Sequence, residues 1–224
     1  MQQVNQAVLV TGANRGIGLE MCRQLKDKGC QVTAVCRTSS TELDALGINV
    51  IDQCDVADFS SVQQLTTRLD SQQFDVVINN AGVLARNVLG DIDYETVAQQ
   101  YQVNAMAPLM VTEALLGHLK PGAKVAIVTS RMGSMSDNDS GGHYGYRMSK
   151  AAVNMAGTSL AVDLKPKGIA VGLLHPGYVK TDMTGGQGHV DTTHAAKGLL
   201  ARIGELNLEN SGGFWHAEGE RLPW

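Results

Sequence analysis

Two side chains capable of proton chemistry stand four residues apart in Tyr146-Arg-Met-Ser-Lys150, and a glycine-rich stretch, Thr11-Gly12-Ala-Asn-Arg15-Gly16-Ile-Gly18, precedes them by about 130 residues. On a helix, positions i and i+4 share one face, so the phenol and the ammonium can point into one cleft. A nearby cation favours phenolate and lowers a tyrosine pKa, which suits a group that gives or takes a proton near neutral pH. Tyr144 is no rival, because six residues separate it from Lys150 and place it near the opposite helix face. The glycines supply a place for a dinucleotide, and the combination reads as machinery for moving a hydride and a proton.

Such groups need elements to hold them. Strand candidates fall at 7–10, 31–36, 49–51, 75–78, 124–129, 170–174 and 213–216, several of them continuous Val/Ile/Leu runs that suit strands covered on both faces. Helical patterns occupy 16–28, 60–71, 94–118, 144–164 and 192–203. This alternation predicts an α/β, Rossmann-type doubly wound parallel sheet of about seven strands with helices on both faces. With no linker or low-complexity tract, residues 1–224 read as a single domain.

The glycine loop leaves a predicted strand and enters a predicted helix, the setting in which such glycines carry meaning. They let the backbone turn tightly and approach a pyrophosphate, which rests on the helix N-terminus. The spacing departs from Gly-x-Gly-x-x-Gly, since three residues separate the first two glycines, and a ligand-free turn is the plain alternative. The end of the second strand reads Val35-Cys36-Arg37-Thr38-Ser39, without the carboxylate that would accept a ribose diol and repel a phosphate. Arg37 can clamp a phosphate, Thr38 and Ser39 can add hydroxyls, and Arg15 brings a second cation; as a bland alternative, both arginines are solvated surface charges. NADP(H) is therefore expected over NAD(H). Asp55-Val56 can meet an adenine, or Asp55 can start a helix. Asn79-Asn80-Ala81-Gly82 can approach the cofactor through Gly82, or Asn79 can serve as a strand-end hydrogen bonder.

Composition excludes several classes. With 43% hydrophobic and 18% charged residues and a net charge of −4, the chain has no electrostatic reason to bind nucleic acid or an anionic membrane. No apolar run approaches the roughly 20 residues that span a bilayer, and residues 1–6 lack the features of a signal peptide, so a cytoplasmic location is expected. Cys22, Cys30, Cys36 and Cys54 show no zinc-ligand spacing and read as buried reduced thiols; no metal site is expected.

In order along the chain, the loop at 11–18, Asp55-Val56, 79–82, Asn104, Ser130, Tyr146 with Lys150, and Pro176-Gly177 with Thr181 resemble the short-chain dehydrogenase/reductase family. Ser-Arg-Met-Gly-Ser at 130–134, Gly-Tyr-Arg-Met-Ser-Lys at 145–150, His-Pro-Gly-Tyr-Val-Lys-Thr-Asp-Met at 175–183 and the ending Gly212-Gly213-Phe-Trp…Pro223-Trp224 look like the branch of Sniffer-type carbonyl reductases and bacterial C-factor proteins. The resemblance implies carbonyl reduction or its reverse with NADP(H). It makes Tyr146 the general acid, has Lys150 lower its pKa and hold ribose hydroxyls, has Ser130 bind the carbonyl oxygen, and has Asn104 hold a water in a proton relay. It assigns cofactor contacts to Gly12, Asn14, Arg15, Gly16, Ile17, Gly18, Arg37, Thr38, Asp55, Val56, Asn80, Ala81, Gly82, Tyr146, Lys150, Pro176, Gly177, Val179 and Thr181. Ser130 to Tyr146 spans more residues than in many members, so the loop 131–143 is expected to bulge, with Ser134 a lesser substitute for Ser130.

Substrate is expected beyond the carboxyl ends of the strands, walled by Met132, Met135, His143, Tyr178 and Trp215, although each of these has a plain packing role as alternative. The segment of about 177–191 would form the substrate loop, with glycine-rich 184–190 mobile until cofactor binds. The expected partner is a small carbonyl compound, an aldehyde, ketone or quinone. A cofactor-binding signalling or redox-sensor protein is the alternative, disfavoured because pure binding has no use for the tyrosine. Sugar-nucleotide chemistry would need a larger substrate segment. The helices at 94–118 and 144–164 are surfaces through which members of the resembling family often pair, so the resemblance implies a homodimer or homotetramer.

Overall fold

A computed structural model describes residues 5–224; the reading of residues 1–4 as free of signal features lies outside the described residues. The strands are β1 (Ala7–Thr11), β2 (Gln31–Val35), β3 (Asn49–Ile51), β4 (Phe74–Asn79), β5 (Leu119–Val128), β6 (Ala170–His175) and β7 (Phe214–His216). They form one sheet in the order β3-β2-β1-β4-β5-β6-β7, with every pairing parallel. The chain winds outward from β1 in one direction and from β4 in the other, which makes their boundary the topological switch point.

Side-chain alternation divides each strand between two cores. Along β1, Ala7 and Leu9 enter one cluster while Val8 and Val10 enter the other. The first cluster is closed by α3 (Phe59–Leu69), α5 (Ala107–Ala114) and α6 (Tyr144–Leu164), through residues such as Val62, Leu65, Val111 and Val153. The second is closed by α1 (Gly16–Asp27), the short α2 (Thr41–Asp44) and α7 (Thr192–Glu205), through Met21, Leu25, Leu43, Leu199 and Ile203. Burial on both faces is why the strands read as apolar runs. Cys22, Cys36 and Cys54 are buried within these cores, and burial pushes the Cys22 thiol up to about 12 and that of Cys36 to about 11. Cys30 is buried too, and its thiol is likewise raised chiefly by burial.

The expected helix over 94–118 is interrupted. α4 (Tyr94–Tyr101) passes into a π-helical stretch, Gln102–Met106, before α5 resumes. Pro108 lies in the first turn of α5. Lacking an N–H, it cannot bond the carbonyl four residues back, that of Asn104, and its ring crowds that carbonyl. Widening the turn at 102–106 relieves the conflict.

Phe74 starts β4, is fully buried in the first core and pairs with Leu119 on β5. Phe74→Ala is expected to lower unfolding stability by about 3–5 kcal/mol in urea titration, through lost burial and an incompletely collapsed cavity.

Candidate active site

At the carboxyl ends of β1, β2, β4 and β5 lies a cleft of about 460 Å³. Its floor is shaped by the glycine loop. Gly12 (φ 64°) and Gly16 (φ 56°) occupy the left-handed region, and a Cβ on Gly12 would stand 2.7 Å from the Ala81 Cα. Gly18 has a different reason: a Cβ there would come within 2.2 Å of the Gly12 carbonyl oxygen and 2.6 Å of the Asn80 amide nitrogen. Asn80 closes the loop by donating to the carbonyls of Thr11 (3.0 Å) and Gly12 (3.1 Å), while the Thr11 hydroxyl accepts from the backbone of Asn80 and Ala81. α1 then begins with no side-chain cap and no acidic residue in its first turn. Its unsatisfied N–H groups and positive end face the cleft, a fit for a phosphate.

The far end of the cleft is walled by Arg37, Thr38, Asp55 and Val56. Arg37 is exposed and makes no ion pair among the described residues, whereas Arg15 pairs with Asp182 at 3.1 Å across the cleft mouth. Ser39 is turned away, donating to Asp44, and Asp55 accepts from the Ala57 amide at 3.0 Å. The near end is walled by Asn80, Ala81, Gly82, Tyr146, Lys150, Pro176 and Thr181.

Lys150 is buried, and its ammonium donates to the Val128 carbonyl at 3.0 Å, 5.7 Å from the Tyr146 ring centre. Burial lowers its pKa to about 8. The phenol behaves differently from the sequence expectation: burial outweighs everything else and pushes Tyr146 up to about 12, with the hydrogen-bonded Ser130 hydroxyl pulling the other way. Tyr146 is thus a protonated phenol throughout the neutral range. Ser130 lies two residues beyond the end of β5, and its hydroxyl accepts from the Met132 amide at 3.1 Å, capping a helical turn over Arg131–Gly133. Gly133 lets that turn sit on α6, since a Cβ would come within 2.7 Å of the Lys150 backbone. The rest of the loop over 131–143 is tied down at Ser136, whose amide and hydroxyl donate to the Trp224 carbonyl oxygen.

Other expected site residues lie elsewhere. Asn104 is buried beside the cleft, with its amide committed: it accepts from Val83 N–H (2.8 Å) and donates to the Val83 carbonyl (2.8 Å) and the Ser149 hydroxyl (3.0 Å). Gly177 and Val179 do not line the cleft; Val179 is buried and bridges to Val190. Thr181 caps the short turn Asp182–Thr184, and His189 and Val190 both donate to the Tyr178 carbonyl, so the segment 178–190 is closed on itself. Of the expected substrate walls, Met132 and His143 are half-buried near the Ser130 turn and the start of α6, and Met135 is exposed. Tyr178 stacks edge-on against His189. Trp215 packs on the second core beneath Arg221, because alternation along β7 sends Phe214 to the opposite face. Val35, Val83, Val103, Val128 and Met183 line the cleft without having been singled out. The first four sit at strand ends or facing turns, where a sequence marks only burial.

A family model described as short chain dehydrogenase matches residues 6–191. The chain belongs to the short-chain dehydrogenase family. It is an oxidoreductase by class, similar over 97% of its length to a 1-hydroxy-2-glutathionyl-2-methyl-3-butene dehydrogenase of Rhodococcus sp. (strain AD45), 43% identical and covered to 99%. It is 46% identical over 73% of its length to the C-signal protein of Myxococcus xanthus, which is covered entirely. Among solved structures it resembles an NADPH-bound carbonyl reductase from chicken fatty liver, with a TM-score of 0.90, 30% identity, and coverage of 99% of this chain and 100% of the other. No helix of the described residues is long and apolar enough to cross a membrane.

The depressed lysine is directly observable. In a protein carrying 13C-labelled lysine, one ε-carbon resonance is expected to titrate near pH 8, well below the others, and to vanish in Lys150→Met. A spectrum in which every lysine titrates above pH 10 would contradict the burial argument.

Proposed function

We propose that this single-domain chain is an NADP(H)-dependent carbonyl reductase that converts an aldehyde, ketone or quinone-like compound to an alcohol, with Tyr146 as proton donor. The observation that carries the reading is the convergence of a buried, protonated phenol, its hydroxyl partner Ser130 and a buried lysine at a cleft where Gly12 and Gly18 leave no room for a Cβ. The NADPH-bound state of the carbonyl reductase that this chain resembles supports the same cofactor here. When bound, the dinucleotide supplies the hydride.

This chain's own residues do the rest. Gly12, Asn14, Arg15, Gly16, Ile17 and Gly18 would hold the pyrophosphate, with Asp55 and Val56 at the adenine and Asn80, Ala81, Gly82, Pro176 and Thr181 along the nicotinamide half. Arg37, with Thr38, is the stronger candidate for the adenosine 2′-phosphate, because Asp182 already neutralises Arg15. At the reacting carbonyl, Ser130 orients the oxygen and Tyr146 delivers its proton as negative charge develops there. Lys150 stabilises the phenolate left behind, a role that needs the ammonium. Its loss as pH rises through about 8 therefore removes stabilisation from the transition state.

Tyr146→Phe is expected to reduce NADPH-dependent turnover of an aldehyde, ketone and quinone panel by about 100-fold or more, with NADPH binding retained. Arg37→Ala should weaken NADPH about tenfold or more in fluorescence titration while leaving NADH unchanged. For the unmodified protein, kcat/KM for reduction should decline above pH 8 as a single ionisation; a flat profile to pH 10 would remove Lys150 from the mechanism. The C-signal relative favours a second reading, a cofactor-binding signalling protein, whose mark would be tight NADPH binding with no turnover of any compound in either direction.

A further inference from the structure

α6 begins abruptly. The residue before it, His143, holds a left-handed backbone (φ 47°) and supplies no side-chain cap. Amides in a first helical turn need acceptors from outside the helix. The Gly145 amide finds one in the Oδ1 of Asn87, 3.1 Å away and 58 positions earlier, on the stretch between β4 and α4. The Asn87 backbone carbonyl takes a second bond, from the His143 amide at 2.9 Å. Both contacts fall within three residues of Tyr146.

Asn87 is itself locked. It is 1% exposed, its Nδ2 donates to the Thr96 hydroxyl (3.1 Å), and its Oδ1 also accepts from the Gln100 Nε2 (3.2 Å). Gln100, equally buried, accepts from the Ala85 amide (2.9 Å) and donates to the Thr96 carbonyl (3.1 Å). Packing leaves no slack: a Cβ on Gly145 would lie 2.5 Å from Gln100 Nε2 and 2.8 Å from Asn87 Oδ1. The two amides satisfy one another and their neighbours without bringing a charge near the phenol, so they fix geometry and leave the local electrostatics alone.

We infer that Asn87, held by Gln100, is a positioning residue for Tyr146: it caps α6 from a distant loop and so sets where the phenol stands relative to Ser130 and the cleft. The inference rests on the reading of Tyr146 as proton donor. A displacement of about 1 Å at a reacting group can cost about 100-fold in rate, so removal of the cap should be felt in kcat.

Asn87→Leu, Asn87→Asp and Thr96→Val, compared with the unmodified full-length chain, separate the possibilities. Leu fills the space but accepts nothing, Asp keeps the acceptor, and Thr96→Val cuts only the other arm. In Asn87→Leu, kcat should fall about 10- to 100-fold with NADPH affinity within twofold, and amide exchange over 144–147 should accelerate at least tenfold. Asn87→Asp, which keeps the acceptor but adds a charge, should recover the protection whatever its kcat, and Thr96→Val should stay within about threefold of the parent in kcat. Wild-type kcat or unchanged exchange in Asn87→Leu would overturn the inference. So would equal losses in all three variants, which would mean that the network supplies stability alone. If the parent itself turns over no carbonyl, the reductase reading fails instead, and the exchange comparison alone still decides whether Asn87 caps the helix.

Discussion

A buried ammonium is costly to keep charged, and the surroundings of Lys150 hold it where it is. A shift from 10.5 to about 8 corresponds to about 3 kcal/mol of bias against the charged form. Against that bias stand the Val128 carbonyl at the end of β5 and a close helix-to-turn contact that only Gly133 permits. The lysine therefore depends on the sheet twice: β5 furnishes its acceptor and, two residues on, Ser130, which keeps the phenol, its hydroxyl partner and the cation within one small volume.

Polar side chains do the fine placement because the apolar cores cannot. Two hydrophobic clusters hold the helices against the sheet through contacts that carry no direction. Hydrogen bonds add direction. Asn154 on α6 accepts from the Thr129 hydroxyl at 2.7 Å, tying the helix to the end of β5, and Asn104 ties the turn after β4 to Ser149. Pro108 contributes from outside the site, since the widened turn that it imposes is the one from which Asn104 projects.

What a single sequence made legible follows from how local the signal is. Apolar runs marked several of the strands because burial on both faces leaves a compositional trace, the loop at 11–18, Tyr146 and Lys150 announced themselves by residue type and spacing, and Ser130 was legible only through the family resemblance. The break in the helix over 94–118 was missed although Pro108 stood in plain view, because the apolar period continues through it and a proline near a helix start is also unexceptional. Trp215 was left open between substrate wall and core because an aromatic residue near a strand end gives no hint of which face it will take, and it packs on the second core. The raised phenol reflects three-dimensional burial of Tyr146, which a spacing argument sees only as proximity to a lysine. Asn87 and Gln100 carried no signal at all, since an isolated buried amide looks like any polar residue until its partners are known.

The four thiols have a consequence for durability. Unsaturated carbonyls and quinones destroy proteins by adding to accessible thiolates. Here every cysteine is buried, and burial holds Cys22 and Cys36, whose pKa values lie near 12 and 11, in the unreactive thiol form at neutral pH. A molecule so built presents no cysteine thiol at its surface, so addition of such compounds to thiolates, the fastest of these reactions, finds no ready target.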